Sequence, residues 1–336
     1  MNILLVTQKI DVSDPILGFF HRWIKEFAVN CEHVHAVAQY TDLFDLPDNV
    51  FVHSLKKEKG SYRIVQILRY WKYLIKYRKD YDVILVHMTP IWVVLGFPVS
   101  LILRKRVMLW YEARGTRWPL KFSTFIVKKI FSASEHGMPL NTKKSVLMGH
   151  GIDSDQFSMG GHNDKNQLVT IGRITKSKQL ILLLNAFLLM PERFNFSIIG
   201  VAITKEDKEF LKEIKEFLLN NGIENRVIIK SMTQEQVVPL LKNSFAFLHA
   251  STTSLDKAVL EAMSCGCPVV SLASAVHSSI PEECRAVDAS SIAESVSYLS
   301  GLSGEEYNAL SNSLRSDICT KHSLSSLIKR LVEEMA

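Results

Sequence analysis

The chain has 336 residues, 47% hydrophobic and 22% charged, with a formal net charge of +6. This balance excludes a disordered or fibrous chain, leaves room for two domains of ordinary size, and favours anionic partners such as nucleotides, phospholipid head groups or phosphorylated acceptors. The five cysteines contain no C-x-x-C pair, and Cys265 and Cys267 flank a glycine. That usage favours a reduced, cytosolic chain over a disulfide framework.

In chain order, MNILLVTQ reads as an immediate strand over 2–6, with no basic leader or cleavage site. Apolar residues at helical spacing predict a helix over 18–29, followed by a strand over 34–38. A helix is predicted over 62–77, a strand over 83–87, a helix over 90–104, and strands over 107–111 and 131–133. The apolar run 91–103 contains a proline and is short for a bilayer span, so it reads as a core helix. His150-Gly151-Ile152-Asp153 and the polar run GGHNDKNQ read as a linker. The pattern then restarts, with strands over 168–171, 195–199, 226–230, 246–249 and 269–272. Helices fall between them over 179–190 and 205–220, and a third, capped by Thr233 and Gln236, runs to Lys242. Helices fill the chain from Ile292 to the end. Repeated strand–helix–strand units imply an α/β chain of two doubly wound parallel sheets, with ligands beyond the carboxyl ends of the strands and in the cleft between domains.

Two segments carry the chemistry. TTSLDKAVLEAMSCGCPVVS starts at Thr252 with residues suited to a helix N-terminus; Gly266 ends the helix and Pro268 opens a strand. GRITKSK, from Gly172 to Lys178, follows the strand LVTI and offers Arg173 and Lys178 on a loop. A helix N-terminus and two cations suffice to hold a diphosphate without a metal. A nucleotide-handling enzyme is therefore the leading reading.

These segments, with DPILGFFHRWIKEF near the start and HGIDSDQF at the linker, resemble the family 4 glycosyltransferases of the GT-B fold, in order and over nearly the whole chain. The resemblance implies two Rossmann-like domains facing a cleft. Residues 1–160 would bind acceptor and 161–315 the nucleotide-sugar, with 316–336 crossing back to the first domain. It assigns the donor diphosphate to Gly172, Arg173 and Lys178, with Arg173 and Lys178 as the catalytic cations. The remaining donor contacts would be Thr253, Ser254, Leu255, Asp256, Lys257 and Ala258, with Glu261 on the ribose hydroxyls. Thr253 stands where the first glutamate of the family's E-x7-E motif falls, and Ser254 to Lys257 replace its small and aromatic residues. Donor preference is thereby left open, while a helix N-terminus for the diphosphate survives.

The implied reaction is glycosyl transfer with retention from a UDP- or GDP-sugar to a glycan or lipid-linked acceptor, in surface polysaccharide or lipopolysaccharide assembly. No metal and no other cofactor are implied. The rival readings are a GT-B sugar-nucleotide epimerase and a noncatalytic nucleotide-binding partner. Acceptor contacts are expected from Gly18 and His21 on the first helix, His87 at a strand end, and Glu112 and Arg114 after the next strand. An internal salt bridge is the other reading of Glu112 and Arg114. His150 at the linker is a weaker candidate. Asp153-Ser154-Asp155 spells D-x-D, but its linker position argues against a metal.

The segment 56–79 carries nine Lys and Arg against Glu58, interleaved with Tyr62, Tyr70, Trp71, Tyr73 and Tyr77. It could lie on an anionic membrane, placing the protein peripherally on the inner face of the cytoplasmic membrane; inward-packed aromatics under a solvated basic face are the alternative. The segment 122–131, with Lys128 and Lys129, is a second membrane candidate. No nucleic-acid recognition motif accompanies these features.

Overall fold

The computed structural model describes residues 1–336 except 15–16, 114, 135–136, 163 and 252–255. The described residues divide into two compact units, Met1–Gly151 with Leu324–Ala336, and Ile152–Ser323.

The first unit holds a seven-stranded, all-parallel sheet. Its strands are β1 (Ile3–Ile10), β2 (Val34–Thr41), β3 (Val50–Ser54), β4 (Val83–His87), β5 (Arg106–Trp110), β6 (Ile130–Ser132) and β7 (Ser145–Leu147), in the order β3-β2-β1-β4-β5-β6-β7. The central strands open on nearly continuous apolar runs, ILLV in β1 and VILV in β4, because both faces are covered. Ile3 and Leu5 enter one core with Val83, Leu85 and Met108, while Leu4 and Val6 enter the opposite core with Ile84, Val86 and Leu109. That two-residue alternation sends successive side chains of one strand to different helical layers. Helix α1 (Phe19–Asn30) covers the first face with Phe20, Trp23, Ile24 and Phe27. Helices α2 (Arg63–Lys76), α3 (Pro90–Ile102) and α4 (Trp118–Ile126) cover the second.

The apolar run 91–103 forms α3, with Trp92, Val93 and Val99 buried between α2 and α4. No helix among the described residues is long and apolar enough to cross a membrane.

The second unit contains β8 (Asp164–Ile171), α5 (Leu180–Leu188), β9 (Asn195–Ile199), α6 (Lys205–Asn220), β10 (Val227–Lys230), α7 (Gln234–Asn243), β11 (Ser244–His249), α8 (Lys257–Ser264), β12 (Val269–Ser271), α9 (Ser274–His277), α10 (Ala289–Gly301) and α11 (Gly304–Lys321). Its five strands are parallel, in the order β10-β9-β8-β11-β12. Gln236 Oε1 accepts the Thr233 N–H at 3.1 Å, which completes the start of α7. The polar run read as a linker ends sooner than its composition suggests. Asp164 to Gln167 already belong to β8, because Ser244 of β11 and Asn195 of β9 pair with them.

The last helix, α12 (Leu324–Met335), belongs to the first unit. Leu324, Leu327, Ile328, Leu331 and Met335 form one helical stripe buried in the core that α1 also fills. Arg330 donates to the Met148 carbonyl at 2.6 Å, and Lys129 pairs with Glu334 at 2.6 Å. Gly151, just before the chain leaves this unit, packs so closely on α12 that a Cβ would lie 2.7 Å from Leu327.

Candidate functional site

In the second sheet, connections from β8 run to one side through β9 and to the other through β11. The carboxyl ends of β8 and β11 therefore flank a topological switch point, where the loops separate and leave a crevice. Gly172 follows β8, and His249 ends β11. A small pocket there is lined by Gly172, Arg173, Lys178, His249, Ser251 and Asp256.

The Gly172 turn is set by close backbone packing. Gly172 donates to the Ile199 carbonyl at 2.9 Å, and Ile174 to the Val201 carbonyl at 3.0 Å. A Cβ on Gly200 would lie 1.8 Å from the Gly172 carbonyl oxygen, so only glycine fits there. One 3-10 turn, Lys176–Lys178, then brings Lys178 back over Gly172. Arg173 is exposed, and its charge is one of several influences that keep the Asp207 carboxyl low, after the hydrogen bonds from Thr204.

Asp256 is the N-cap of α8, yet its side chain makes no cap hydrogen bond. Its Oδ2 instead pairs with the Lys178 ammonium and lies 2.9 Å from His249 Nε2. His249 Nδ1 lies 2.9 Å from Ser271 Oγ, which accepts the Ala273 N–H at 3.0 Å. The network assigns the tautomer: the Ser271 hydroxyl donates to Nδ1, and Nε2–H donates to Asp256. Burial alone would raise the Asp256 pKa. The hydrogen bond from His249 and the charge of Lys178 outweigh it and hold the carboxyl well below the usual carboxylate range. Ser271, His249 and Asp256 look like a nucleophile triad, but Ser271 is fully buried and its hydroxyl is engaged by His249 and the Ala273 N–H.

One turn into α8, Glu261 is 8% exposed. Its Oε1 lies 3.2 Å from Lys257 Nζ and accepts from Gln234 Nε2 at 3.2 Å. The structure thus brings Gly172, Arg173, Lys178 and Asp256 to one pocket, with Lys257, Ala258 and Glu261 following on α8. Thr253, Ser254 and Leu255 lie outside the described residues. His249 and Gln234 were not singled out from sequence. The signal for His249 was available: a polar residue ending the apolar strand SFAFLH, where crevice residues belong.

The expected acceptor residues sit in the first unit. Its switch point lies between β1 and β4. There His87 is buried, with Nδ1 3.4 Å from Thr7 Oγ1 and its ring stacked on Phe20 at 4.0 Å. Gly18 caps α1, where a Cβ would meet the Asp14 carbonyl at 2.5 Å. His21 is buried, and its Nε2 accepts the Asp45 N–H at 3.1 Å; burial lowers its pKa. Glu112 holds the loop after β6. It accepts from the Ala133 N–H at 2.7 Å, the Ser134 N–H at 3.1 Å and the Ser134 hydroxyl at 2.6 Å. Arg114 lies outside the described residues. His150 is half-buried at the end of the first unit.

Asp153 Oδ1 accepts the N–H groups of Asp155 and Gln156 and closes a turn. No group of three or more metal-ligating side chains occurs among the described residues. On α2, Tyr70 is buried and Trp71 donates to the Leu95 carbonyl at 2.7 Å, while Arg63, Lys72 and Lys76 are exposed.

Residues 165–300 match the family model described as Glycosyl transferases group 1. No curated protein matches the sequence. The fold is similar to that of Anabaena HepE in complex with UDP and glucose, at TM-score 0.77 and 15% identity, covering 100% of this chain and 99% of that one. It is also similar to sucrose-phosphate synthase from Thermosynechococcus elongatus, at TM-score 0.76 and 14% identity over 99% and 98% of the two chains. The lipopolysaccharide outer core galactosyltransferase WaaB, in its apo form, gives TM-score 0.65 and 12% identity over 98% of each chain. The resemblance read from the motifs is borne out at this level, and the chain is a GT-B-fold protein whose second unit carries the match to the group 1 glycosyl transferases.

Proposed function

We propose that this chain is a glycosyltransferase that moves a sugar from a nucleotide-diphosphate sugar, held on the second unit, to a glycan or lipid-linked acceptor, with retention and without a metal. The observation that carries the reading is the crevice at the β8 and β11 ends, where Arg173, Lys178 and the positive end of α8 converge. The family match over 165–300 spans that crevice. HepE is seen with UDP and glucose, which makes UDP the first nucleotide to test and GDP the second.

In the proposed reaction the bond between the anomeric carbon and the diphosphate oxygen breaks, and negative charge grows on the leaving phosphate. Arg173, Lys178 and the first turn of α8 stabilise that charge, each worth roughly 2–4 kcal/mol where water is excluded. The acceptor oxygen bonds to the anomeric carbon on the same face, and its proton passes to the departing phosphate. Asp256 holds Lys178 in place until the diphosphate takes over its ammonium. Glu261, buried on α8, is assigned to the ribose hydroxyls. Surface polysaccharide or lipopolysaccharide assembly is the proposed setting, with the basic face of α2 on an anionic membrane.

A second reading, a noncatalytic nucleotide binder, is favoured by Asp256, a carboxylate seated on the cation that would meet phosphate. The test is turnover of UDP- and GDP-sugars with and without acceptor mixtures, following nucleotide release and the anomeric proton by NMR. Acceptor-dependent release with an unchanged anomeric configuration is expected. Binding without release supports the noncatalytic reading, and acceptor-independent inversion or hydrolysis supports an epimerase. Flotation with anionic and neutral vesicles tests the membrane face; equal recovery with both contradicts it.

A further inference from the structure

The first unit contains a groove of about 780 Å³ at the carboxyl ends of β4 and β5, within the size range of ligand pockets. Its wall is apolar and aromatic, built from Met88, Pro90, Ile91, Tyr111, Trp118 and Leu120. The two side-chain hydroxyls on that wall already donate elsewhere. The Tyr111 hydroxyl donates to the Gly115 carbonyl at 2.7 Å, and the Thr89 hydroxyl donates to the His87 carbonyl at 3.1 Å. A sugar or a peptide backbone would find few hydrogen-bond partners there, whereas a hydrocarbon needs none.

The charges of the groove are of one sign. Arg63 at the start of α2 and Arg117 at the start of α4 line it, both are exposed, and no carboxylate is among its described lining residues. Guanidinium forks suit phosphate oxygens better than any neutral head group. Beyond the groove the aromatic surface continues along α4, where Phe122 is 48% and Phe125 81% exposed. Large exposed aromatics beside an apolar groove mark a binding surface.

We propose that this groove binds a lipid phosphate, a single hydrocarbon chain along the apolar wall with its phosphate or diphosphate at Arg63 and Arg117. That this ligand is the lipid half of the acceptor rests on the glycosyltransferase reading; the binding itself does not.

The experiment titrates the full chain with farnesyl diphosphate below its micelle-forming concentration, followed by tryptophan fluorescence and calorimetry. Farnesol, inorganic diphosphate and phosphatidylglycerol vesicles are the comparison ligands, and UDP is titrated into the same samples. Farnesyl diphosphate should bind saturably, with farnesol and diphosphate each weaker by about tenfold or more. Arg63→Ala with Arg117→Ala should weaken it by about tenfold at unchanged melting temperature. Trp118→Phe should remove most of the fluorescence change while calorimetry still records binding. Farnesol binding as tightly as the diphosphate, or vesicles binding where farnesyl diphosphate does not, overturns the proposal. Lipid binding with neither UDP nor GDP binding, GDP being titrated in the same way, removes the transferase reading and leaves the groove; nucleotide binding without lipid binding removes the groove and leaves the transferase.

Discussion

Gly200→Ala probes how the fold presents the cradle. The new Cβ would lie 1.8 Å from the Gly172 carbonyl oxygen, about 1.6 Å short of an ordinary 3.4 Å contact. Neither side yields freely. Gly200 donates to the Lys230 carbonyl at 2.9 Å and Gly172 to the Ile199 carbonyl at 2.9 Å. Opening the gap breaks two backbone hydrogen bonds at about 1 kcal/mol each and adds overpacking strain, for a total near ~3 kcal/mol. In a unit of this size that lowers the melting temperature by roughly 6–12 °C. The displaced turn carries Arg173 and Lys178, so nucleotide affinity should fall with it. Scanning calorimetry and UDP titration read both effects. Gly301→Ala is the control, because a Cβ there meets nothing within 4 Å. A Gly200→Ala protein that melts with the wild type and binds UDP as well would refute the packing argument.

Three further outcomes are expected. Burial, then the neighbouring His35 and Lys76, push the His53 pKa down to about 4. Between about pH 6.5 and 4 the unfolded chain takes up a proton that the folded one refuses, so stability falls as pH drops through that window, by about 2 kcal/mol after allowance for partial exposure. Urea unfolding across this range should show the slope, and His53→Gln should flatten it; an equal slope in both proteins counts against the assignment. Leu327→Ala should cost about 3 kcal/mol, because the side chain is fully buried between α12 and the first sheet. An unchanged unfolding midpoint would show that α12 does not seal that core. Glu261→Gln should weaken UDP about tenfold while inorganic diphosphate binds as before; parallel losses for both ligands would take Glu261 off the ribose.

Much of the architecture was legible because parallel strands buried on both faces read as continuous apolar runs. VILVH and NFSII fall where the sequence places them, and KEDKEFLKEIKEFLLN announces its own amphipathic helix. The elements that escaped are edges and short pieces. β3 is half-exposed along most of its length, β7 has three residues of which the outer two are exposed, and α4 has only nine residues. None carries enough periodic burial to outweigh its polar neighbours. Gly172, Arg173 and Lys178 were legible as a loop after a strand, and Asp256 as part of a helix N-terminus. His249 could have been read as the polar end of an apolar strand, whereas Gln234 reaches the site only through its hydrogen bond to Glu261, which no local pattern encodes. Glu112 stands at a strand end as expected for a site residue, yet its carboxylate is spent on the 133–134 backbone.

The most direct test of the central claim is calorimetric titration of UDP and uridine into the wild-type chain and Lys178→Met. The account predicts that UDP binds about a hundredfold more tightly than uridine, and that Lys178→Met erases about tenfold of that advantage without changing uridine. Equal affinity for the two ligands, or an unchanged UDP affinity in Lys178→Met, would contradict a diphosphate cradle at the β8 and β11 ends.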